Sequence, residues 1–178
     1  MATWRTRGLR GSDLEEMINY TNEDYRSRGL GLVQKIPTPI TPVEIDSATR
    51  HITLAYFDRQ STVDYIGSVQ GIPVCFDAKE CESESFPFRN VHEHQLAFMG
   101  DMEKQEGIAF FLISFKKRGE IVYLPYRDYV ALYEEMTKAG RKSFRYTEIP
   151  DPIAVPVEAQ LYVRYLVGIA EDLERRKA

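Results

Sequence analysis

Hydrophobic residues recur at helical spacing in four parts of the chain and alternate with polar residues in several others. The helical spacing predicts helices around residues 14–25, 90–104 and 126–139, and a C-terminal helix that ends near residue 175. Strand-like segments lie at residues 32–36, 107–115 and 120–124, and in two hairpins at residues 40–60 and 61–80. Residues 107–115 are the most apolar, which is typical of a buried central strand. This order of elements predicts an α/β protein, with residues 1–178 forming a single domain.

The hairpin at residues 61–80 carries the clearest candidate chemistry. Gly67 and Gly71 are predicted to bracket its turn. Side chains two residues apart in a strand point to the same face, so Asp77 and Lys79 share one face. Asp64, at the end of the first strand, can reach the same place across the hairpin. Two residues of the second strand point the other way, into the core: Phe76 and Ala78.

Two carboxylates and one ammonium group in this arrangement are typical of a metal-dependent nuclease. The carboxylates of Asp64 and Asp77 would hold a hard divalent cation such as Mg²⁺ through oxygen ligands. The metal and Lys79 would activate a water molecule and offset the charge that develops on a phosphate. The pattern is short, and a surface ion pair on a solvated strand face is the alternative.

Composition and charge narrow the class of protein. A hydrophobic content of 43% and a charged content of 28% are those of a soluble globular protein. No apolar run approaches the roughly 20 residues needed to span a membrane. Two cysteines fit neither a disulfide scaffold nor a zinc cluster, so we expect a cytoplasmic protein. The net charge of −4 argues against non-specific coating of nucleic acid, although it leaves room for a focused basic groove.

Several polar residues outside this hairpin could also lie at the site. Glu15 follows Ser12 by three residues, which is a capping-box pattern, and it can equally point toward the metal. His92 and His94 are two apart in a predicted helix, so they should not face one another. Gln95 can point toward the hairpin face.

Two further segments also leave alternatives open. The hairpin at residues 40–60 is either a projecting arm or two more strands of the sheet. The basic loop at residues 141–145 is either a solvated turn or a phosphate contact through Arg141 and Lys142. The C-terminal helix packs on the sheet or on a second subunit.

The chain resembles the RecU-type Holliday junction resolvases, which belong to the PD-(D/E)xK nuclease superfamily. The resemblance covers nearly the whole length and rests on ordered, collinear segments. These are Arg10-Gly11 with Leu14-Glu15 and Thr21-Asn22; Pro37-Thr38-Pro39; Ala55-Tyr56-Phe57; Ser61-Thr62-Val63-Asp64-Tyr65-Ile66-Gly67; Phe76-Asp77-Ala78-Lys79-Glu80; Ser85-Phe86-Pro87 with Asn90, His92 and His94-Gln95; and Gly140-Arg141-Lys142-Ser143.

The resemblance implies a restriction-endonuclease-like fold, with a mixed central β-sheet flanked by helices and a protruding β-hairpin stalk at residues 40–60. It implies a homodimeric, Mg²⁺-dependent endonuclease, with Mn²⁺ as a substitute, that nicks four-way DNA junctions symmetrically in recombination and repair. Recombinase or branch-migration proteins are further expected partners, and the expected location is the nucleoid. The site residues carried over are, for catalysis, Asp64, Asp77, Lys79, Glu15 and Gln95; for the metal, Asp64, Asp77 and Glu15; and for DNA, Arg10, Thr62, Arg141 and Lys142.

Two other functions compete with this one. A nuclease with the same fold could act on nicked, flapped or plain duplex DNA. A non-catalytic junction-binding protein that modulates recombination is the second alternative, and it has no need of the two carboxylates and the lysine.

Overall fold

The computed structural model describes residues 13–57, 62–158 and 162–177. Within these ranges the helices are α1 (Asp13–Ser27), α2 (Glu93–Lys104), α3 (Tyr126–Lys138) and α4 (Tyr165–Lys177). The strands are β1 (Leu32–Lys35), β2 (Ile40–Ile45), β3 (Ile52–Phe57), β4 (Tyr65–Val69), β5 (Ile72–Cys81), β6 (Ser85–Pro87), β7 (Ile108–Phe115), β8 (Glu120–Pro125), β9 (Ser143–Arg145), β10 (Ile153–Val155), β11 (Val157–Glu158) and β12 (Tyr162–Val163). Single 3-10 turns lie at Phe88–Asn90 and Tyr146–Glu148.

Six strands form a central sheet in the order β1-β4-β5-β7-β8-β10. Strands β5 and β7 pair in parallel and the other neighbours pair antiparallel, so the sheet is mixed. A parallel pair needs a crossover connection, and α2 provides it between β5 and β7. The predicted fold class, a mixed sheet flanked by helices, is confirmed.

Alternating side chains of the central strands build one hydrophobic core on each face of the sheet. Phe76 and Phe110 belong to the core under α1 and α4, whereas Cys75 and Phe111 belong to the core under α2 and α3. Every residue of β7 is buried, as the apolar run at residues 107–115 predicts. The C-terminal helix packs on the sheet, because its Tyr165 lies in the first core.

The turn of the β4–β5 hairpin is tighter than the sequence predicts. Gly67 lies inside β4, opposite Val74 of β5, and the turn consists of Gln70 and Gly71 with φ angles of 50° and 87°. Two consecutive positive φ angles are typical of a type I′ hairpin turn. Gly67 serves a different purpose, since a Cβ there would lie 2.1 Å from the carbonyl oxygen of Leu32 on the neighbouring strand.

Strands β2 and β3 form a two-stranded sheet of their own, apart from the central sheet. Their large apolar side chains are about half exposed: Ile40, Val43, Ile45, Ile52, Leu54 and Tyr56. Residues 58–60 of the predicted arm lie outside the described residues.

Three short elements differ from the predicted loops. Strand β6 pairs with β9, so residues 85–87 and 143–145 form a small sheet where loops were predicted. Strand β10 pairs with β8 and extends the central sheet within the proline-rich segment. Helix α2 begins at Glu93 rather than residue 90, because a 3-10 turn precedes it. Among the described residues, no helix combines the length and the apolar character that crossing a membrane requires.

Candidate active site

The hairpin register brings two carboxylates together at the open end of β4 and β5. Tyr65 pairs with Phe76, which sets Asp64 beside Asp77. The backbone N–H of Asp64 donates to Oδ1 of Asp77 at 3.1 Å, and the N–H of Ala78 donates to Oδ2 of Asp64 at 2.9 Å. The predicted meeting of the two side chains across the hairpin is therefore present.

Asp77 is fully buried and is held from several directions. The side-chain amide of Gln95 donates to its Oδ1 at 2.9 Å, and the ammonium of Lys79 forms an ion pair with its Oδ2. The Lys79 side chain is 17% exposed, so this charge pair lies at the border between core and solvent.

Asp64 carries the clearest electrostatic signature of the site. Its pKa is raised to about 7, chiefly because burial penalises the charged carboxylate and also because Asp77 is close. The hydrogen bond from Ala78 and the charge of Lys79 oppose this shift without cancelling it. Carboxylates that are crowded together and buried in this way are frequent at functional sites.

The orientation of Gln95 is fixed by the start of α2. The backbone N–H of His92 donates to Oε1 of Gln95 at 3.0 Å, which turns the amide NH₂ group toward Asp77. The prediction that His92 and His94 do not face one another is wrong, since their rings stack with centroids 5.4 Å apart. His92 has the extended backbone of a helix cap (φ −94°, ψ 151°), so helical spacing does not apply to it.

Glu15 does not form a three-carboxylate metal cluster with the two aspartates in the described part of the chain. Its Oε2 is 2.7 Å from Nζ of Lys35, and its backbone carbonyl accepts a hydrogen bond from the hydroxyl of Tyr65. Because Lys35 pairs with Tyr65, both side chains point to the face that α1 covers. Asp77, the neighbour of Phe76 in β5, points to the opposite face, where it contacts Gln95 of α2. Ser12, the other half of the predicted capping box, lies outside the described residues.

The donor atoms at the site suit a hard divalent cation. Asp64 and Asp77 supply carboxylate oxygens, and the buried Oδ2 of Asp77 has the ammonium of Lys79 as its ion-pair partner. Among the described residues, no three side chains of histidine, cysteine, aspartate or glutamate are grouped to hold a metal. The arrangement fits an ion that has two protein carboxylates and takes its other ligands from water or substrate.

The residues predicted to contact DNA have different surroundings. Arg141 forms a bidentate pair with Glu148, with nitrogen–oxygen distances of 2.6 and 2.8 Å. Lys142 is exposed, and Thr62 is half-buried two residues before Asp64. Arg10 lies outside the described residues.

Glu80 has a role that was not predicted from the sequence. Its Oε1 accepts a hydrogen bond from the backbone N–H of Leu14 at 3.0 Å and lies 2.9 Å from Nζ of Lys116. A carboxylate at a helix N-terminus satisfies a free amide and interacts favourably with the helix dipole. Glu80 therefore joins α1 to the strand that carries Asp77 and Lys79. Its position directly after Lys79 was the only available signal.

Comparisons with known proteins support the family resemblance that the sequence shows. The model of the family described as "Recombination protein U" matches residues 9–171. The Holliday junction resolvase RecU of Levilactobacillus brevis is 40% identical over 171 residues, which are 93% of this chain and 85% of the relative. The protein of the same name from Listeria innocua is 39% identical over 150 residues, covering 82% and 75% of the two chains. That of Pediococcus pentosaceus is 43% identical over 140 residues, covering 76% and 70%.

Among solved structures, the chain is similar to Hjc, a Holliday junction resolvase from the archaeal hyperthermophile Archaeoglobus fulgidus. The TM-score is 0.47 with 4% identity, and the overlap covers 79% of this chain and 94% of Hjc. That overlap is too loose to carry an argument. The family match spans most of the chain, however, and the curated relatives agree with it, so this chain belongs to the RecU family.

Proposed function

We propose that this protein is an endonuclease that resolves four-way DNA junctions by nicking strands hydrolytically, with Mg²⁺ as its metal. The observation that carries the proposal is the group formed by Asp64, Asp77 and Lys79 on one face of the β4–β5 hairpin. Relatives that are about 40% identical are named Holliday junction resolvases, which supports the junction as the substrate.

Each residue of the site has a distinct role in this proposal. Asp64 and Asp77 would hold the divalent ion, which supplies Lewis-acid activation and neutralises charge on the phosphate. The ammonium of Lys79 would move from Asp77 toward the attacking water or the phosphate oxygen, where it offsets developing negative charge. Gln95 keeps the Asp77 carboxylate in a single orientation.

Glu15 and the DNA contacts complete the proposal. Glu15 would assist the metal only after leaving its ion pair with Lys35, so we assign it an auxiliary role. Lys142 and Thr62 would contact DNA directly, and Arg141 would do so by exchanging Glu148 for a phosphate. Arg10 would add a further phosphate contact.

Two active sites are needed for symmetric cleavage. A homodimer with two-fold symmetry would present one site to each of two symmetry-related strands of the junction. The β2–β3 hairpin, whose apolar side chains are exposed, would act as the stalk that enters the junction centre. Recombinase or branch-migration proteins would be further partners.

The test compares three DNA substrates with the same arm sequences: a mobile four-way junction, a flapped duplex and a linear duplex. With Mg²⁺ present, we expect paired nicks in the junction and little cleavage of the other two. Asp77→Ala should abolish cleavage while junction binding remains. Faster cutting of the flap or duplex would indicate a different nuclease. Binding of the junction by both proteins without cleavage would indicate the non-catalytic modulator.

A further inference from the structure

A cleft of about 590 Å³ opens where β6, β9 and α3 meet, outside the group formed by the two aspartates and Lys79. Its walls combine aromatic rings, hydroxyl groups and cations, and the residues that matter below are Phe88, Arg89, Tyr133, Lys142, Ser85 and Ser143.

One wall of the cleft offers a rigid aromatic surface. The side chain of Tyr133 is 40% exposed. Its ring contacts Phe88 edge to face, with centroids 5.0 Å apart at an interplanar angle of 76°, and lies nearly parallel to Tyr129 at 6.4 Å. Neighbours on the protein side therefore restrain the ring while part of it remains open to solvent. An exposed, restrained ring is suited to stacking with a nucleobase.

One of the three cations that line the cleft is paired with a carboxylate, and the other two are not. Arg141 is paired with Glu148, as described above. Within the described part of the chain, no carboxylate lies within ion-pair distance of Arg89 or Lys142, and both are exposed. Two uncompensated cations beside an open ring, on a chain with a net charge of −4, favour an anionic ligand that carries an aromatic group.

Two segments of the chain connect this cleft to the candidate active site. Along β5, Cys81 follows Lys79 by two residues, about 7 Å on the same face. The Cys81 thiol contacts the carbonyl oxygen of Ser85 at 3.2 Å, and the Ser85 hydroxyl lies 3.0 Å from that of Ser143. The cleft therefore begins just beyond the end of the strand that carries the active-site lysine.

The second segment runs through α2. The 3-10 turn that presents Phe88 and Arg89 leads directly into this helix, whose Gln95 binds Asp77. The cleft and the site thus share one face of the sheet and are positioned by the same segments. A DNA strand whose phosphate lies at Lys79 could therefore extend along this face toward the cleft.

We propose that the cleft binds one unpaired nucleotide of the strand being cut. Its base would stack on Tyr133, and its phosphate would contact Lys142 and Arg89. This inference rests on the proposed nuclease function and would explain a preference for junctions over continuous duplex DNA. A base in a continuous duplex must be unstacked and unpaired before it can enter the cleft, and this cost is lower where base pairs open at a strand-exchange point.

The test measures binding without cleavage, with EDTA in place of metal. The probes are a fluorescein-labelled 12-residue oligothymidylate and a 12-base-pair duplex, titrated with the full-length protein by fluorescence anisotropy at low salt. Tyr133→Leu keeps an apolar side chain and removes the stacking surface, whereas Tyr133→Phe keeps the ring. Lys142→Ala removes one cation, and Lys138→Ala on α3 removes a solvent-exposed lysine that pairs with Glu134 as a control.

We expect Tyr133→Leu to weaken oligothymidylate binding by about 5- to 150-fold, the range found for loss of one base–aromatic stack. Duplex binding by this variant should change much less, and Tyr133→Phe should match wild type with both probes. Lys142→Ala should weaken oligothymidylate binding more than Lys138→Ala does. The proposal is overturned if wild type does not bind the oligothymidylate, or if Tyr133→Leu binds it as wild type does.

The inference and the proposed function can fail separately. If wild type cleaves the junction and Tyr133→Leu binds oligothymidylate as wild type does, the nucleotide site is refuted and the nuclease function stands. If oligothymidylate binding depends on Tyr133 but wild type does not cleave the junction, the nucleotide site stands and the nuclease function is refuted.

Discussion

The side-chain amide of Gln95 donates a hydrogen bond to Oδ1 of Asp77 at 2.9 Å, and both side chains are buried. The other end of the amide accepts from the backbone N–H of His92, so the amide cannot rotate freely. Helix α2 therefore fixes the orientation of the carboxylate that lies at the centre of the candidate site.

Replacing Gln95 with alanine should weaken metal-dependent cleavage. Asp77 would lose a donor that orients it, and loss of such a supporting hydrogen bond typically costs about 10- to 100-fold in metal affinity or activity. We expect a higher Mg²⁺ concentration at half-maximal junction cleavage, measured in single-turnover reactions. Gln105→Ala, at the exposed end of the same helix, is the control. A wild-type Mg²⁺ dependence for Gln95→Ala would contradict this role.

Asp64→Asn should stabilise the metal-free protein at pH 8. The pKa of Asp64 is raised from its usual 3.8 to about 7, so the folded state binds a proton more tightly than the unfolded chain. The free energy of unfolding therefore falls as the pH rises from about 4 to 7, and the whole penalty is present at pH 8. At about 1.4 kcal/mol per unit of pKa this shift corresponds to about 4 kcal/mol, and screening by solvent lowers it because Asp64 is only partly buried. A neutral amide therefore removes a penalty on the order of 2–4 kcal/mol.

The measurement is thermal unfolding in EDTA at pH 8 and at pH 4. We expect Asp64→Asn to raise Tm by roughly 4–16 °C at pH 8, given about 2–4 °C per kcal/mol for a protein of this size, and to change it little at pH 4. Asp101→Asn, an exposed aspartate, should leave Tm unchanged at both pH values. A lower Tm for Asp64→Asn at pH 8 would show that the two carboxylates do not destabilise the fold.

Glu80→Ala should reduce stability by about 1–2 kcal/mol, because the N–H of Leu14 and the ammonium of Lys116 would both lose a partner. Glu80→Gln keeps a hydrogen-bond acceptor and should have a smaller effect. Urea unfolding gives the free energies, with the exposed Glu82→Ala as the control. Equal midpoints for Glu80→Ala and Glu82→Ala would mean that the contact with α1 contributes nothing.

Removal of the β2–β3 hairpin should change the preference for a DNA substrate without changing the stability of the fold. Its side chains are mostly exposed, so replacing residues 41–56 with an Asn-Gly turn should leave Tm nearly unchanged. If the hairpin is the stalk, the preference for a junction over a duplex should fall by about tenfold, or ~1.4 kcal/mol. Gel-shift titrations of both DNAs measure this preference. An unchanged preference would refute the stalk assignment.

The convergence of Asp64, Asp77 and Lys79 could be predicted because it depends on local rules. Strand alternation places Asp77 and Lys79 on one face, and a short turn brings Asp64 beside them. The predicted turn was placed too early, because a glycine at position 67 is typical of a turn. Its actual purpose, the close approach of β1, depends on a strand more than 30 residues away.

Contacts between distant segments could not be predicted in the same way. The bond from Leu14 to Glu80 spans 66 residues, and the pairing of Ser85 with Arg145 spans 60. Both arise from the packing of whole elements rather than from any pattern nearby. The stacked rings of His92 and His94 were missed because the start of α2 was placed three residues too early.

The central claim is that Asp77 is part of the group that cuts the junction. Its most direct test is the single-turnover rate of paired nicking of a labelled four-way junction, with wild type and Asp77→Asn compared at equal fractions of bound DNA. The amide keeps the shape of the side chain and loses the charge that would hold the metal. We predict paired nicks from wild type and none from the variant, and cleavage at an equal rate by Asp77→Asn would contradict the proposed active site.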